Sequence, residues 1–164
     1  MEELLQRARQ GDPEAFVLLI EGCRTDLYRV ARGFFRSDED AADAIQQTVL
    51  DCYEQLGRLK KLEYFKTWLI RILVNNCNDL LRAGRRYAPE TELPETGAPD
   101  PGQADAEFRA LLDSLDEPYR VVLLLYYGEG LRVREIGTAL GLSDEAVKSR
   151  LRRGREQARR AYEQ

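Results

Sequence analysis

Between Ala88 and Asp105 the chain places Pro89, Pro94, Pro99 and Pro101 beside Gly97, Gly102 and the acids Glu90, Glu92, Glu95, Asp100 and Asp105, with no base among them. Proline removes a backbone donor and fixes φ, glycine is entropically costly to order, and like charges repel. Such a stretch continues neither a helix nor a sheet, so it reads as a flexible acidic linker, reaching roughly 60 Å when extended. The chain is thereby divided into a unit at 1–87, a linker at 88–105 and a second unit at 106–164. In both units apolar residues recur at three- and four-residue steps, so the expected fold is all-α: two small helical domains, the second a helix-turn-helix.

In the first unit, Asp12-Pro13 is a helix start, with aspartate at the N-cap and proline at the first helical position. Phe16, Leu19, Ile20, Cys23, Leu27, Val30, Ala31 and Phe34 then form one buried face. Ser37 caps a second helix whose stripe is Ala41, Ala44, Ile45, Thr48, Val49, Cys52 and Leu56. After a basic loop, Phe65, Trp68, Leu69, Ile72, Leu73, Asn76 and Leu80 repeat the spacing. In the second unit Phe108, Leu111, Leu112 and Leu115 mark a short helix, and Val121 to Tyr127 is expected to be a buried helix. The run VREIGTALGLSDEAVKSRLRRGREQARRAY reads as helix-turn-helix: Ile136 and Leu140 on the first helix, Gly137 at a close approach, Gly141 at the left-handed turn, and Val147 and Leu151 on the second.

The formal charge of −4 conceals segregation. Asp38, Glu39, Asp40, Asp43, Asp51 and Glu54 occupy one helix without a base, whereas Arg58, Lys60, Lys61, Lys66, Arg71, Arg82, Arg85 and Arg86 crowd the next segment. The last helix again carries Lys148, Arg150, Arg152, Arg153, Arg155, Arg159 and Arg160. Two basic patches far apart in sequence fit two contacts with a polyanion. Asp79 would repel phosphate unless paired with Arg82 or Arg71.

The 164 residues contain no histidine, which excludes a Ser-His-Asp triad, a Cys-His pair and most zinc sites. A small hydrolase or transferase using paired carboxylates such as Asp40 and Asp43 finds no phosphate-binding loop, metal cluster or candidate nucleophile to support it, so no catalysis and no cofactor are expected. Cys23, Cys52 and Cys77 each sit on an apolar face and are expected to be reduced core residues. No apolar run approaches the roughly 18 residues of a membrane span, and MEELLQRARQGD lacks a signal-peptide core; a cytoplasmic location is expected.

The order of parts, with DEDAADAIQQTVLDCYEQL at 38–56, YFKTWLIRILVNNCNDLLRAGRR at 64–86, and LDEPYRVVLLLYYGEGLRVREIGTALGLSDEAVKSRLRRGREQAR at 115–159, resembles the extracytoplasmic-function group of sigma-70 factors. The resemblance implies a subunit that binds core RNA polymerase and directs it to promoter DNA. It puts Asp40, Asp43, Gln46 and Gln47 at the polymerase contact. The sequence departs from the family pattern at Ala42, Ala44, Gln47 and Val49, where an acid, a leucine, a glutamate and a phenylalanine are more usual. The resemblance also implies that the segment from Tyr64 recognises and opens the minus-10 element. Opening a duplex needs a place for unstacked bases and a positive groove for the displaced strand; Arg58, Lys60, Lys61, Tyr64, Lys66, Arg71, Asn75, Asn76 and Arg82 are the candidates. For the minus-35 element Lys148, Ser149, Arg152 and Arg153 would face the major groove, where arginine pairs with guanine. Arg155, Arg159 and Arg160 are expected at the DNA backbone or in solvent, and Arg132 and Arg134 at phosphate. An anti-sigma factor is the implied regulatory partner. The competing reading is a conventional two-domain helix-turn-helix regulator, which leaves the basic aromatic segment at 64–86 unexplained.

Overall fold

In the computed structural model, which describes residues 1–84 and 103–163 without the side chains at 103–105, 108 and 109, the described residues form eight α-helices and no strand. They are α1 (Glu2–Arg9), α2 (Pro13–Phe34), α3 (Asp38–Gln55), α4 (Phe65–Gly84), α5 (Gln103–Asp113), α6 (Glu117–Leu123), α7 (Val133–Leu140) and α8 (Asp144–Glu163). The linker reading lies outside the described residues up to residue 102. Helix α5 starts at Gln103, so the helix takes in the last three residues of that stretch. Phe108 is likewise outside the described side chains.

The helix starts follow their caps. Asp12 Oδ1 accepts from the backbone N–H groups of Glu14 (3.1 Å) and Ala15 (3.3 Å), ahead of Pro13. Ser37 Oγ accepts from Asp40 N–H at 3.3 Å. Each bond satisfies a donor that the first helical turn leaves without a partner. α2, α3 and α4 pack together around Leu19, Leu27, Val30, Ala44, Cys52, Phe65, Leu69 and Leu73. Ile20, Ile45 and Val49 lie half-buried at its margin. The cysteines are free thiols in this core; burial pushes Cys52 and Cys77 up to about 12 and Cys23 upward, which keeps them protonated and poor nucleophiles.

The stripe read for α4 needs correction. Phe65, Leu69 and Leu73 are buried, but Trp68, Ile72, Asn76 and Leu80 are only half-buried, while Ile70, Val74 and Cys77 are enclosed. The reason is tertiary: α4 touches α2, α3 and also α7, so its buried arc is wider and rotated relative to a single-sided helix.

In the second unit α6 and α8 pack together and α7 leads into α8 through Gly141, whose φ of +70° is the left-handed turn expected of it. A Cβ on Gly137 would lie 2.6 Å from the Leu142 carbonyl oxygen, which is the close approach expected there. The Val121–Tyr127 run is helical, but Leu124–Gly128 forms a π-helical turn. The wider turn carries the chain to Glu129 before Gly130 (φ +68°) and Leu131, whose N–H donates to the Leu125 carbonyl at 3.0 Å. The two units are in contact: α7 lies on α4, and α6 lies on α2.

Candidate nucleic-acid interface

Asp40, Asp43, Gln46 and Gln47 are all exposed on α3. Asp38, by contrast, is occupied: it accepts from Tyr28 Oη at 2.7 Å and pairs with Arg32 at 3.4 Å. Gln47 Nε2 donates to Asp51 Oδ1 at 3.0 Å, so this polymerase candidate is partly held in place by its own helix. Of the departures from the family pattern, Ala44 is fully buried and Val49 is packed against the core, so these two alter packing; Ala42 and Gln47 alter the surface.

The loop before α4 is built from two 3₁₀ turns, Leu56–Arg58 and Leu62–Tyr64. Leu56 and Leu59 are buried, Leu62 packs on the core, and Arg9 of α1 donates to the Leu59 carbonyl at 3.2 Å. These anchors leave Arg58, Lys60, Lys61 and Tyr64 exposed, with the Lys61 ammonium 5.8 Å from the centre of the Tyr64 ring. Lys66, Arg71, Asn75 and Arg82 are exposed along α4, and Arg82 neutralises Asp79 at 3.0 Å.

Asn76 is placed differently from its neighbours. It is half-buried, and Nδ2 donates to Thr48 Oγ1 (3.1 Å) and Asp51 Oδ2 (3.0 Å), while Thr48 donates onward to the Ala44 carbonyl (2.7 Å). An amide nitrogen has two hydrogens, and the Asp51 carboxylate can only accept, so both are committed to α3. Asn76 ties α4 to α3, whereas Asn75 keeps its amide on the surface.

In the helix-turn-helix, Ser143 Oγ accepts from Ala146 N–H at 3.1 Å and starts α8. Val147, Leu151 and Gly154 form the buried side, Lys148, Arg152 and Arg153 are exposed on the outside, and Ser149 is half-buried. Arg132 and Arg134 are exposed at the start of α7. Arg159 and Arg160 are exposed, but Arg155 is engaged elsewhere: Nε donates to Tyr127 Oη at 2.8 Å, and its guanidinium lies 5.8 and 5.7 Å from the centres of the Tyr126 and Tyr127 rings. It joins α8 to the π turn.

Sequence reasoning missed a second group of residues where the units meet. Thr67 Oγ1 donates to Glu135 Oε2 at 2.8 Å. Glu129, whose side chain has no solvent exposure, lies 3.4 Å from Lys66 Nζ and 3.7 Å from Arg29 Nη1. Arg120, buried on α6, donates through Nε to the Gly33 carbonyl at 2.7 Å, and burial lowers its pKa.

The described residues thus present an acidic helical face and two separate basic ones. The family model for sigma-70 region 2 matches residues 19–87, and that for sigma-70 region 4 matches residues 105–157. The chain is 31% identical to the ECF RNA polymerase sigma factor SigM of Mycobacterium tuberculosis, over 93% of this chain and 80% of that one. It is 30% identical, over 94% of its length, to a probable RNA polymerase sigma factor, RfaY, of Xanthomonas campestris, and spans 42% of that longer protein. Among solved structures it is similar to CnrH in complex with the cytosolic domain of CnrY, with a TM-score of 0.69, 27% identity and coverage of 98% of this chain and 95% of the other. The chain belongs to the sigma-70 family of RNA polymerase sigma factors, in its extracytoplasmic-function group.

Proposed function

We propose that this sigma factor divides its work among three surfaces. Asp40, Asp43, Gln46 and Gln47 of α3 dock on core RNA polymerase. The loop at 58–64, with Lys66, Arg71, Asn75 and Arg82 of α4, engages and helps to open the minus-10 element. Lys148, Ser149, Arg152 and Arg153 of α8 read the minus-35 element. The observation that carries this reading is the pair of exposed basic helical faces, one on each unit, beside an acidic face with no base of its own. Phosphate attraction would supply affinity at both DNA faces, and base-edge contacts would supply sequence choice.

Catalysis belongs to the polymerase in this scheme, and the chain needs no cofactor for it. No helix among the described residues is long and apolar enough to cross a membrane; the proposed place of work is the cytoplasm, with the polymerase. The structural relative CnrH was solved in complex with the cytosolic domain of CnrY, and a protein partner that sequesters this chain, an anti-sigma factor, is part of the proposal.

Run-off transcription with purified core polymerase and a library of promoter fragments, at fixed salt, tests it. Discrete starts that require the chain, and that shift or vanish with Arg152→Ala, are the expected result. DNA binding without any chain-dependent start would overturn it.

A further inference from the structure

We propose that Asp51 is a positioning residue for polymerase docking: it holds the Gln47 amide by its nitrogen and so turns the amide oxygen, a hydrogen-bond acceptor, toward the polymerase. The inference rests on the reading of α3 as the docking face and adds to it a residue that acts through Gln47.

The orientation follows from a run of hydrogen bonds in which each link dictates the next. Thr48, fully buried on α3, donates its hydroxyl hydrogen to the Ala44 carbonyl at 2.7 Å, so its oxygen is left to accept. Asn76 of α4 therefore meets it with Nδ2, at 3.1 Å, and the same nitrogen donates to Asp51 Oδ2 at 3.0 Å. Asp51 is half-buried, and its carboxylate can only accept. Its remaining oxygen, Oδ1, takes Gln47 Nε2 at 3.0 Å from one helical turn earlier. On its own such an i, i+4 pair is weak, but here a second helix fixes the Asp51 carboxylate. With its nitrogen held, Gln47 is left with Oε1 as the free end of an exposed side chain, since no other hydrogen bond engages it among the described residues.

The arrangement answers the departure at position 47, where the family pattern has a glutamate. A carboxylate presents acceptors whichever way it turns, whereas a glutamine presents either an oxygen or an NH₂ group. Asp51 settles that choice for the oxygen and sets its own negative charge one turn away. Asp43, Gln46 and Gln47 line one groove between α3 and α4, and neither Asp43 nor Asp51 has a cationic partner among the described residues. The face as a whole therefore recognises N–H donors. A side chain already held in its bound orientation also loses less freedom on docking.

The test uses the full-length chain and intact core RNA polymerase. Competition against a fluorescein-labelled wild-type chain, followed by anisotropy at fixed salt, gives the affinity, and urea unfolding gives the stability. Asp51→Asn has the same size and keeps an oxygen for Asn76; its NH₂ group then faces Gln47 and turns that amide over. It is expected to weaken core binding by about tenfold, with the urea midpoint unchanged. In a Gln47→Glu background the carboxylate accepts from that NH₂ group and still presents an acceptor outward, so adding Asp51→Asn is expected to change the affinity by less than about twofold, whatever the background's own affinity. A loss with Gln47 present and none in the Gln47→Glu background supports the proposal. Every other pattern overturns it, including an equal loss in both backgrounds, which the missing charge or a loosened contact between α3 and α4 would give. Asp51→Ala, which frees the amide rather than reversing it, is carried through the same cycle so that the comparison does not hang on one substitution; a loss of about threefold, again only with Gln47 present, is expected. Asp43→Lys separates the two readings. If it abolishes core binding while Asp51→Asn has no effect, the docking reading of α3 stands without the positioning role; if neither variant alters core binding, both fail.

Discussion

A carboxylate without solvent contact has to be neutral or compensated, and Glu129 is partly both. Burial pushes it up from 4.5 to about 7, Asp26 adds to the rise, and Lys66 and Arg29 pull it back. The folded chain therefore holds a proton that the unfolded chain releases near 4.5. Its contribution is fully present below that value and is lost as pH rises toward about 7. Thermal unfolding should show a stability decrease of roughly 3 kcal/mol at most across that window, and Glu129→Gln should flatten it. The adjacent asparagines on α4 permit a sharper comparison. Asn76 bonds Thr48 and Asp51, so Asn76→Ala is expected to lower stability by about 1–3 kcal/mol in urea unfolding, with transcription falling in proportion. Asn75 is exposed, so Asn75→Ala should leave the urea midpoint unchanged and reduce only promoter opening. The two share a residue type and adjacent positions, and only the three-dimensional packing of α3 on α4 separates them. That is why the sequence placed both at DNA.

At the scale of the element, what could be read early is what is local. Asp12, Ser37 and Gly141 act within one turn of their own position, and each does in the structure what its chemistry demands. The face of α4 could not be read in this way, because which residues of a helix are buried depends on how many partners it has. Gly137 is an intermediate case: its spacing from Gly141 identifies the turn, but only the 2.6 Å approach to Leu142 shows how little room remains. Gly137→Ala must displace backbone and is expected to cost about 1–3 kcal/mol, read as a lower urea midpoint. On α8 the chemistry is exposed and the expected effect is on binding rather than folding. Replacing Arg152 by alanine should leave the urea midpoint within about 0.5 kcal/mol, weaken binding to a selected promoter by about 1–3 kcal/mol and relax the preference at one base pair. If Arg152 instead touches phosphate, the loss will be uniform across sequences and the salt slope will fall by about 0.9.

For the whole molecule, the charge segregation that suggested separate surfaces also hid how they relate. Lys66, Thr67, Glu129 and Glu135 belong to different units, and no periodicity or spacing connects residues about 65 positions apart across a proline-rich stretch. The π turn at 124–128 contributes to the same outcome, since a regular helix continued through this run would not deliver Glu129 to α2 and α4 in the same way. The contact has a consequence for cooperativity. Leu124 packs at Gly33, Arg120 donates to its carbonyl and α7 covers α4, so unfolding either unit exposes apolar surface and strips hydrogen-bond partners from the other. Two units coupled in this manner should unfold together, whereas independent ones unfold at their own midpoints. Urea unfolding followed at Trp68, the single tryptophan and a resident of the first unit, should therefore coincide with unfolding followed by helical circular dichroism, to which α6, α7 and α8 contribute. A Cβ on Gly33 would lie 2.5 Å from Leu124 Cδ2, so in Gly33→Gln the two probes should separate, and the dichroism should resolve two transitions. Coincident curves in that variant, together with unchanged dimensions in scattering, would mean that the coupling does not run through Gly33.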